Sequence, residues 1–251
     1  MSLQMPESVG GFSVTVYDEV GSTNDVCRAL AAEGAPHGTT IIAERQTAGR
    51  GRRGRTFFSP QDTGLYMSVL LRPSLAAADL PLLTPVTAVG VAEALEGIIG
   101  KRVGIKWVND LYVGGKMVCG ILTVGALTGG RGVYACVGIG INLDTPAGGF
   151  PEELATIAGA AAAGRGDIRR EAACAVLEAL TPIYADPFDK TLVTRYWARS
   201  VLDGQRVCVT VGDTAYEATA LGIDDRFSLR VRCDGGTERL LSSGEASARI
   251  R

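Results

Sequence analysis

The sequence predicts an α+β fold in two parts. Strand-like and helix-like runs interleave as far as about residue 200, and from residue 203 onward only short strands and turns remain. A soft stretch rich in Gly and Ala, 146–166, interrupts the first part. These features divide the chain into a larger unit, residues 1–202, and a small β-barrel domain, residues 203–251.

Each element follows from its local pattern. Residues 12–20 alternate as a strand, and Ser22, Thr23 and Asn24 offer polar caps to a helix over 25–33 that stops at Gly34. Strands follow at 39–45 and 65–71. Thr84-Pro85 opens a helix running to Ile99, with Gly100 as its stop. A short strand at 103–107 precedes a hairpin, 111–113 with 116–127, turning on Gly114-Gly115, and a further strand spans 133–143. Asp167 caps a helix over 168–184, and a second helix covers 187–200. The barrel strands are 206–211, 215–221, 227–232 and 238–241.

Composition narrows the function. The 251 residues are 46% hydrophobic and 21% charged, which supports a packed core and argues against disorder. A net charge of −2 argues against a dedicated nucleic-acid surface. Six scattered cysteines without a C-x-x-C, beside a single histidine, leave no usual zinc site and indicate reduced thiols in a cytoplasmic protein. The N-terminus lacks a basic-then-apolar leader, and the apolar stretch 117–127 is too short to span a bilayer, so no membrane association is expected. Four of 25 basic residues are lysine, two of them the nearby Lys106 and Lys116.

The densest chemical signal is Gly49-Arg50-Gly51-Arg52-Arg53-Gly54-Arg55. Its glycines permit close backbone approach, and its guanidiniums grip carboxylate or phosphate two-pronged. The loop reads as an anion clamp, with an RGG-like nucleic-acid segment as the alternative. Three polar groups accompany it. Ser22-Thr23-Asn24 either caps its helix or binds a neutral polar head. Lys106-Trp107-Val108-Asn109-Asp110 ends a strand, where α/β-type sheets place binding residues, or forms a turn. Alternation places Lys116, Val118, Gly120 and Leu122 on one strand face and Gly138, Gly140 and Asn142 on one face of the next. The glycines suggest a bare sheet floor on which a ligand lies, edged by Lys116 and Asn142.

Taken in order, these motifs resemble the biotin–protein ligases. They are Ser22-Thr23-Asn24, Gln46 with the Arg/Gly run, Lys106-Trp107-x-Asn109-Asp110, Lys116-x-x-x-Gly120-Ile121-Leu122 and Gly138-Ile139-Gly140-Ile141-Asn142. The likeness is dense over 12–145 and looser at Gly244-Glu245-Ala246-Ser247-Ala248-Arg249. Val108, Phe57, Ala246 and Ala248 depart from the family pattern. The resemblance implies a mixed sheet with helices on one side and an SH3-like C-terminal barrel. It also implies a ligase that activates biotin with ATP and Mg as biotinyl-5′-AMP, then transfers it to a lysine of a biotin carboxyl carrier domain.

Residue by residue, the resemblance places Ser22, Thr23, Asn24, Gln46, Gly49, Arg50, Gly51, Arg52, Gly120 and Gly138 at biotin, and Lys116 at its carboxylate. Lys116 and Arg50 are the implied catalytic cations. Arg52, Arg53, Arg55, Phe57, Lys106, Trp107, Asn109, Asp110 and Asn142 fall to ATP and the adenylate, with Asp110 also the implied Mg ligand. Sequence-specific DNA binding is not expected, because about twenty residues before Ser22 are too few for a helix-turn-helix. A homodimer is left open. Two alternatives stand: a lipoate–protein ligase of the same fold, and a non-catalytic RNA-binding module using the Arg/Gly loop.

Overall fold

A computed structural model describes residues 3–128, 131–242 and 246–250. Strands β1 (Ser8–Val9), β2 (Phe12–Val20), β3 (Thr39–Gln46), β4 (Gly64–Leu71), β5 (Gly104–Lys106), β6 (Asp110–Val113), β7 (Lys116–Thr128) and β8 (Arg131–Asn142) form one sheet in the order β1-β2-β3-β4-β8-β7-β6-β5. It is mixed, because β2 and β3 run parallel while the other pairs are antiparallel. A second, five-stranded sheet holds β9 (Arg206–Val211), β10 (Thr214–Ile223), β11 (Leu229–Cys233), β12 (Glu238–Leu241) and β13 (Ala246–Ile250).

The two faces of the large sheet do different work. Val69, Val137, Ile139 and Ile141 point to a core shared with helices α2 (Leu83–Ile99) and α4 (Arg169–Ala185), which pack on each other. The opposite face carries Ile41, Leu70 and Cys136 against the short helix α1 (Thr23–Ala32). The expected one-sided packing therefore holds for the long helices, and α1 frames the site on the other side. The helical run Ala77–Ile99 is long and apolar enough in length and composition to cross a membrane, a longer stretch than the sequence reading singled out. Here it is a core helix, with Leu83, Val86, Val89, Val91 and Leu95 essentially inaccessible.

Three expected elements are corrected. The second helix after the soft segment, α5, spans only Thr191–Trp197 instead of 187–200. The Asp189 carboxylate accepts the Thr191 N–H at 2.9 Å and delays its start, and Ser200 leaves it to bridge Ile105 on β5. Phe227 precedes β11 in a turn, with φ +59°. Gly244 and Glu245 lie outside the described residues, while Ala246–Ile250 adds the unforeseen strand β13. The soft segment also contains a short helix, α3 (Glu152–Ala155), which becomes part of the site.

A buried charge cluster fixes α4 to the sheet. Arg169 donates from Nε and Nη2 to Asp167 at 2.9 and 2.7 Å, while its Nη1 lies 3.7 Å from the buried Glu44. Among the described residues, removing the cation leaves the buried Glu44 carboxylate without a counter-charge, held only by the Leu3 N–H. Arg169→Met is expected to lower unfolding free energy by about 3–5 kcal/mol; an unchanged urea midpoint would contradict this. The guanidinium also holds the half-exposed Asp167 below the ordinary carboxylate range. That modest stabilisation is present above the ordinary value and is lost as pH falls through the depressed one.

Candidate active site

A polar relay closes one end of a pocket on the α1 face. Ser22 takes the N-cap backbone position, but its side chain makes no cap bond. Gln46, arriving on β3, does that work: its Oε1 accepts the Thr23 backbone N–H at 2.9 Å and the Thr23 hydroxyl at 3.2 Å. Gln46 Nε2 donates to Ser59 at 2.8 Å, which fixes the amide's orientation. Ser68 Oγ lies 2.8 Å from Thr23 Oγ1 and 3.0 Å from Asn24 Oδ1. Ser22, Thr23 and Asn24 are all buried and all line the cavity. Such a set presents fixed donors and acceptors to a neutral polar group.

The floor is bare sheet. A Cβ at Gly138 would lie 2.5 Å from Asn24 Nδ2, and one at Gly140 would lie 2.6 Å from the Phe57 ring. Gly138, Gly140 and Asn142 share the pocket face, as the alternation predicts, while Val137 and Ile141 enter the core and Ile139, also in the core, borders the pocket.

The Arg/Gly loop folds over this floor. Gly51 N–H donates to Arg55 O at 2.7 Å and Phe57 N–H to Gly49 O at 2.9 Å, and Arg53 adopts φ +57°. Gly49 itself is not a lining residue; it is required by the loop closure, where a Cβ would sit 2.4 Å from Phe57 O. The charges are distributed over partners. Arg50 pairs with Asp25 of α1 at 2.9 Å, and Arg52 Nη1 donates to Asn109 Oδ1 at 2.7 Å. Asn109 Nδ2 in turn donates to Asp110 Oδ1 at 2.7 Å. Arg50, Arg52, Arg53, Arg55, Phe57, Lys106, Trp107, Asn109 and Asp110 all reach the same cavity, of about 280 Å³.

Electrostatics here are a balance. Burial pushes the Asp110 carboxyl above its ordinary value, and the Lys106, Arg52 and Arg55 cations pull it back. Burial also lowers the Arg52 guanidinium, opposed by Asp110. Lys106, Arg52 and Arg55 outnumber the single Asp110 carboxylate, so this end keeps a net positive charge that suits an anion.

The strand face expected for Lys116 is corrected. The β6–β7 register shifts between Leu111 and Tyr112, where Leu111 faces Cys119 and Tyr112 faces Met117, so β7 carries an extra residue. This bulge reverses the phase of the side chains. Met117, Gly120 and Leu122 line the pocket, whereas Lys116 stands outside the lining and Val118 enters the core. Lys116 Nζ donates to the carbonyls of Ala155 and Thr156, at 3.3 and 2.7 Å, and ties α3 to the hairpin. Lys116→Ala is therefore expected to change turnover at this pocket by no more than about threefold, the scale of a surface contact. A loss of a hundredfold in steady-state rate would show that its ammonium enters the pocket.

Sequence reasoning missed the wall formed by Phe150, Leu154, Ile157 and Ala158, and missed Met117. It also missed Ser68, although a lone polar residue in the apolar run 65–71 is a readable signal. The wall had none, because its segment was read only as soft.

Comparison with known proteins gives the family. Residues 18–142 match the biotin/lipoate A/B protein ligase family, and residues 204–249 match the biotin protein ligase C-terminal domain. The bifunctional ligase/repressor BirA of Bacillus spizizenii is 32% identical over 240 residues, 94% of this chain and 74% of that protein. The biotin–(acetyl-CoA-carboxylase) ligase of Paracoccus denitrificans is 31% identical over 232 residues, 86% of this chain and 93% of that one. Among solved structures, the biotin protein ligase of Aquifex aeolicus in complex with biotin and ATP superposes with a TM-score of 0.77 at 28% identity, covering 95% of this chain and 99% of that one. The chain belongs to the biotin protein ligase family and is a ligase enzyme.

Proposed function

We propose that the protein condenses biotin with MgATP to biotinyl-5′-AMP and transfers the biotinyl group to one lysine of a biotin carboxyl carrier domain. The carrying observation is a single cavity with two chemically distinct ends, a neutral hydrogen-bonding relay at Thr23, Asn24 and Gln46 and a cationic end at Arg52 and Lys106, joined by a glycine floor. Biotin has a neutral ureido head and an anionic tail, and that polarity matches. We assign the head to Ser22, Thr23, Asn24 and Gln46, and its fused rings to the Gly120 and Gly138 floor. The adenylate falls to Arg52, Arg53, Arg55, Phe57, Lys106, Asn109, Asp110 and Asn142.

In the first step a biotin carboxylate oxygen attacks the α-phosphorus and pyrophosphate leaves. Negative charge grows on the departing phosphates, where Arg52 and Lys106 lower the barrier. Arg50 and Gly51 close the loop over the mixed anhydride and exclude water. In the second step a neutral lysine amine attacks the acyl carbon, an amide forms, AMP leaves and a proton passes to solvent. No group of three or more His, Cys, Asp or Glu among the described residues forms a metal cage. Asp110 instead fits Mg²⁺ that arrives with the nucleotide, whose phosphates supply most of its oxygen ligands.

We place the catalytic unit at 1–202 and the barrel at 203–251. The C-terminal match favours biotin over lipoate, because the matched catalytic family covers both. Incubation with labelled biotin, MgATP and a carrier domain tests the reading. Label on the carrier lysine is expected; label only with lipoate in place of biotin would support the alternative.

A further inference from the structure

The C-terminal sheet sends one turn into the catalytic unit, and that turn grips the strand end bearing Asn109 and Asp110. The turn lies between β10 and β11. Asp224 braces it by accepting the N–H groups of Arg226 and Ser228 at 2.9 and 2.7 Å, and Phe227 N–H donates to Asp224 O at 3.1 Å. Phe227 is buried at φ +59°, a conformation rare for a bulky residue and held only where surroundings over-determine it. Its carbonyl accepts the Trp107 indole Nε1–H at 2.8 Å in a buried hydrogen bond. Its ring meets Tyr196 edge-on, with centroids 5.4 Å apart. Arg226 adds an ion pair to Asp79 and a bond to Ala78 O at 3.1 Å.

Trp107 sits between Lys106 and Asn109, both pocket-lining, at the end of a three-residue strand on the edge of its sheet. Within that sheet, among the described residues, β5 pairs only with β6; outside it, Ile105 bridges Ser200. Tyr196 is fully buried, and its phenol is pushed up by burial and by the nearby Asp110, with Arg52 opposing. Among the described residues, none beyond Ala158 lines the pocket. The barrel thus reaches the cationic end without entering it.

We propose that Phe227 is a positioning residue for the nucleotide half of the site. Through its carbonyl on Trp107 and its ring on Tyr196 it holds Asn109 and Asp110, and through Asn109 the Arg52 guanidinium, in register with ATP. The relay at Thr23, Asn24 and Gln46 has no part in this contact, so the biotin half is independent of it. The proposal rests on the reading of residues 106–110 as the nucleotide end.

The test uses the full chain with Phe227→Ala, Phe227→Leu and Trp107→Phe. Biotin-dependent pyrophosphate release gives KM for each substrate, and calorimetry gives the biotin Kd. Phe227→Ala is expected to raise KM for MgATP at least tenfold while the biotin Kd stays within twofold. Phe227→Leu should restore part of the loss, and Trp107→Phe, which removes the indole donor together with part of the buried bicyclic ring, should shift KM for MgATP in the same direction. If Phe227→Ala does not fold, Phe227→Leu carries the test, because Trp107 itself lines the pocket. An unchanged KM for MgATP in folded variants, or equal weakening of biotin and ATP, overturns the proposal alone. A wild-type protein that releases no biotin-dependent pyrophosphate overturns the functional reading and this proposal with it.

Discussion

Arg52→Ala is expected to slow biotin-dependent pyrophosphate release by on the order of a hundred- to thousandfold, the loss typical for one preorganised charge-stabilising donor. The side chain is half-buried, donates to Asn109 and is coupled to Asp110. It is not a solvated loop charge that a neighbour can replace. Arg28, an exposed residue of α1 that pairs with Asp25 and lies outside the pocket lining, is the internal control, and its truncation should cost far less. Measurement at saturating biotin and ATP separates a slowed step from weakened binding. An Arg52→Ala rate within a few-fold of wild type would remove Arg52 from the reacting end.

Gly138→Ala is expected to damage the opposite end. The new methyl would meet three atoms of the Asn24 amide at 2.5 to 2.9 Å. Asn24 has little room to yield, because it is buried and its amide lies on Ser68 and on Leu122 O. Overpacking of this kind costs about 1–3 kcal/mol. If the displaced amide is the one that binds the ureido head, biotin affinity falls by about ten- to hundredfold. Gly140→Ala is a milder companion, since its methyl meets the Phe57 ring, which can move with the loop. Equal biotin Kd values for wild type and Gly138→Ala, measured by calorimetry, would take Asn24 out of the biotin site.

Much of this architecture was legible in the sequence because its signals are local. Alternation located β2 and β8, and Gly100 in the left-handed region ends α2 where its position predicted. Gly114 and Gly115, both at positive φ, make the hairpin turn. The strand glycines announced a floor because they repeat at period two. Non-local features were not legible. The β7 bulge falls inside Met117-Val118-Cys119, where every residue is apolar and the phase of burial leaves no trace in composition. That hidden residue moved Lys116 out of the pocket and Met117 into it. The hydroxyls of Ser22 and Thr23 read equally as caps or as ligand contacts. Only the arrival of Gln46 from another strand releases them from capping. The partnership of Phe227 with Trp107 spans 120 positions and has no sequence signature.

The central claim is that one cavity joins a biotin head site to a phosphate-stabilising end, and pyrophosphate release in the absence of any acceptor protein tests it most directly. With purified protein, MgATP and biotin, the account predicts release that depends on biotin and stops after about one equivalent per site, as the enclosed adenylate is retained. Release that proceeds equally without biotin, or no release with biotin present, would contradict it.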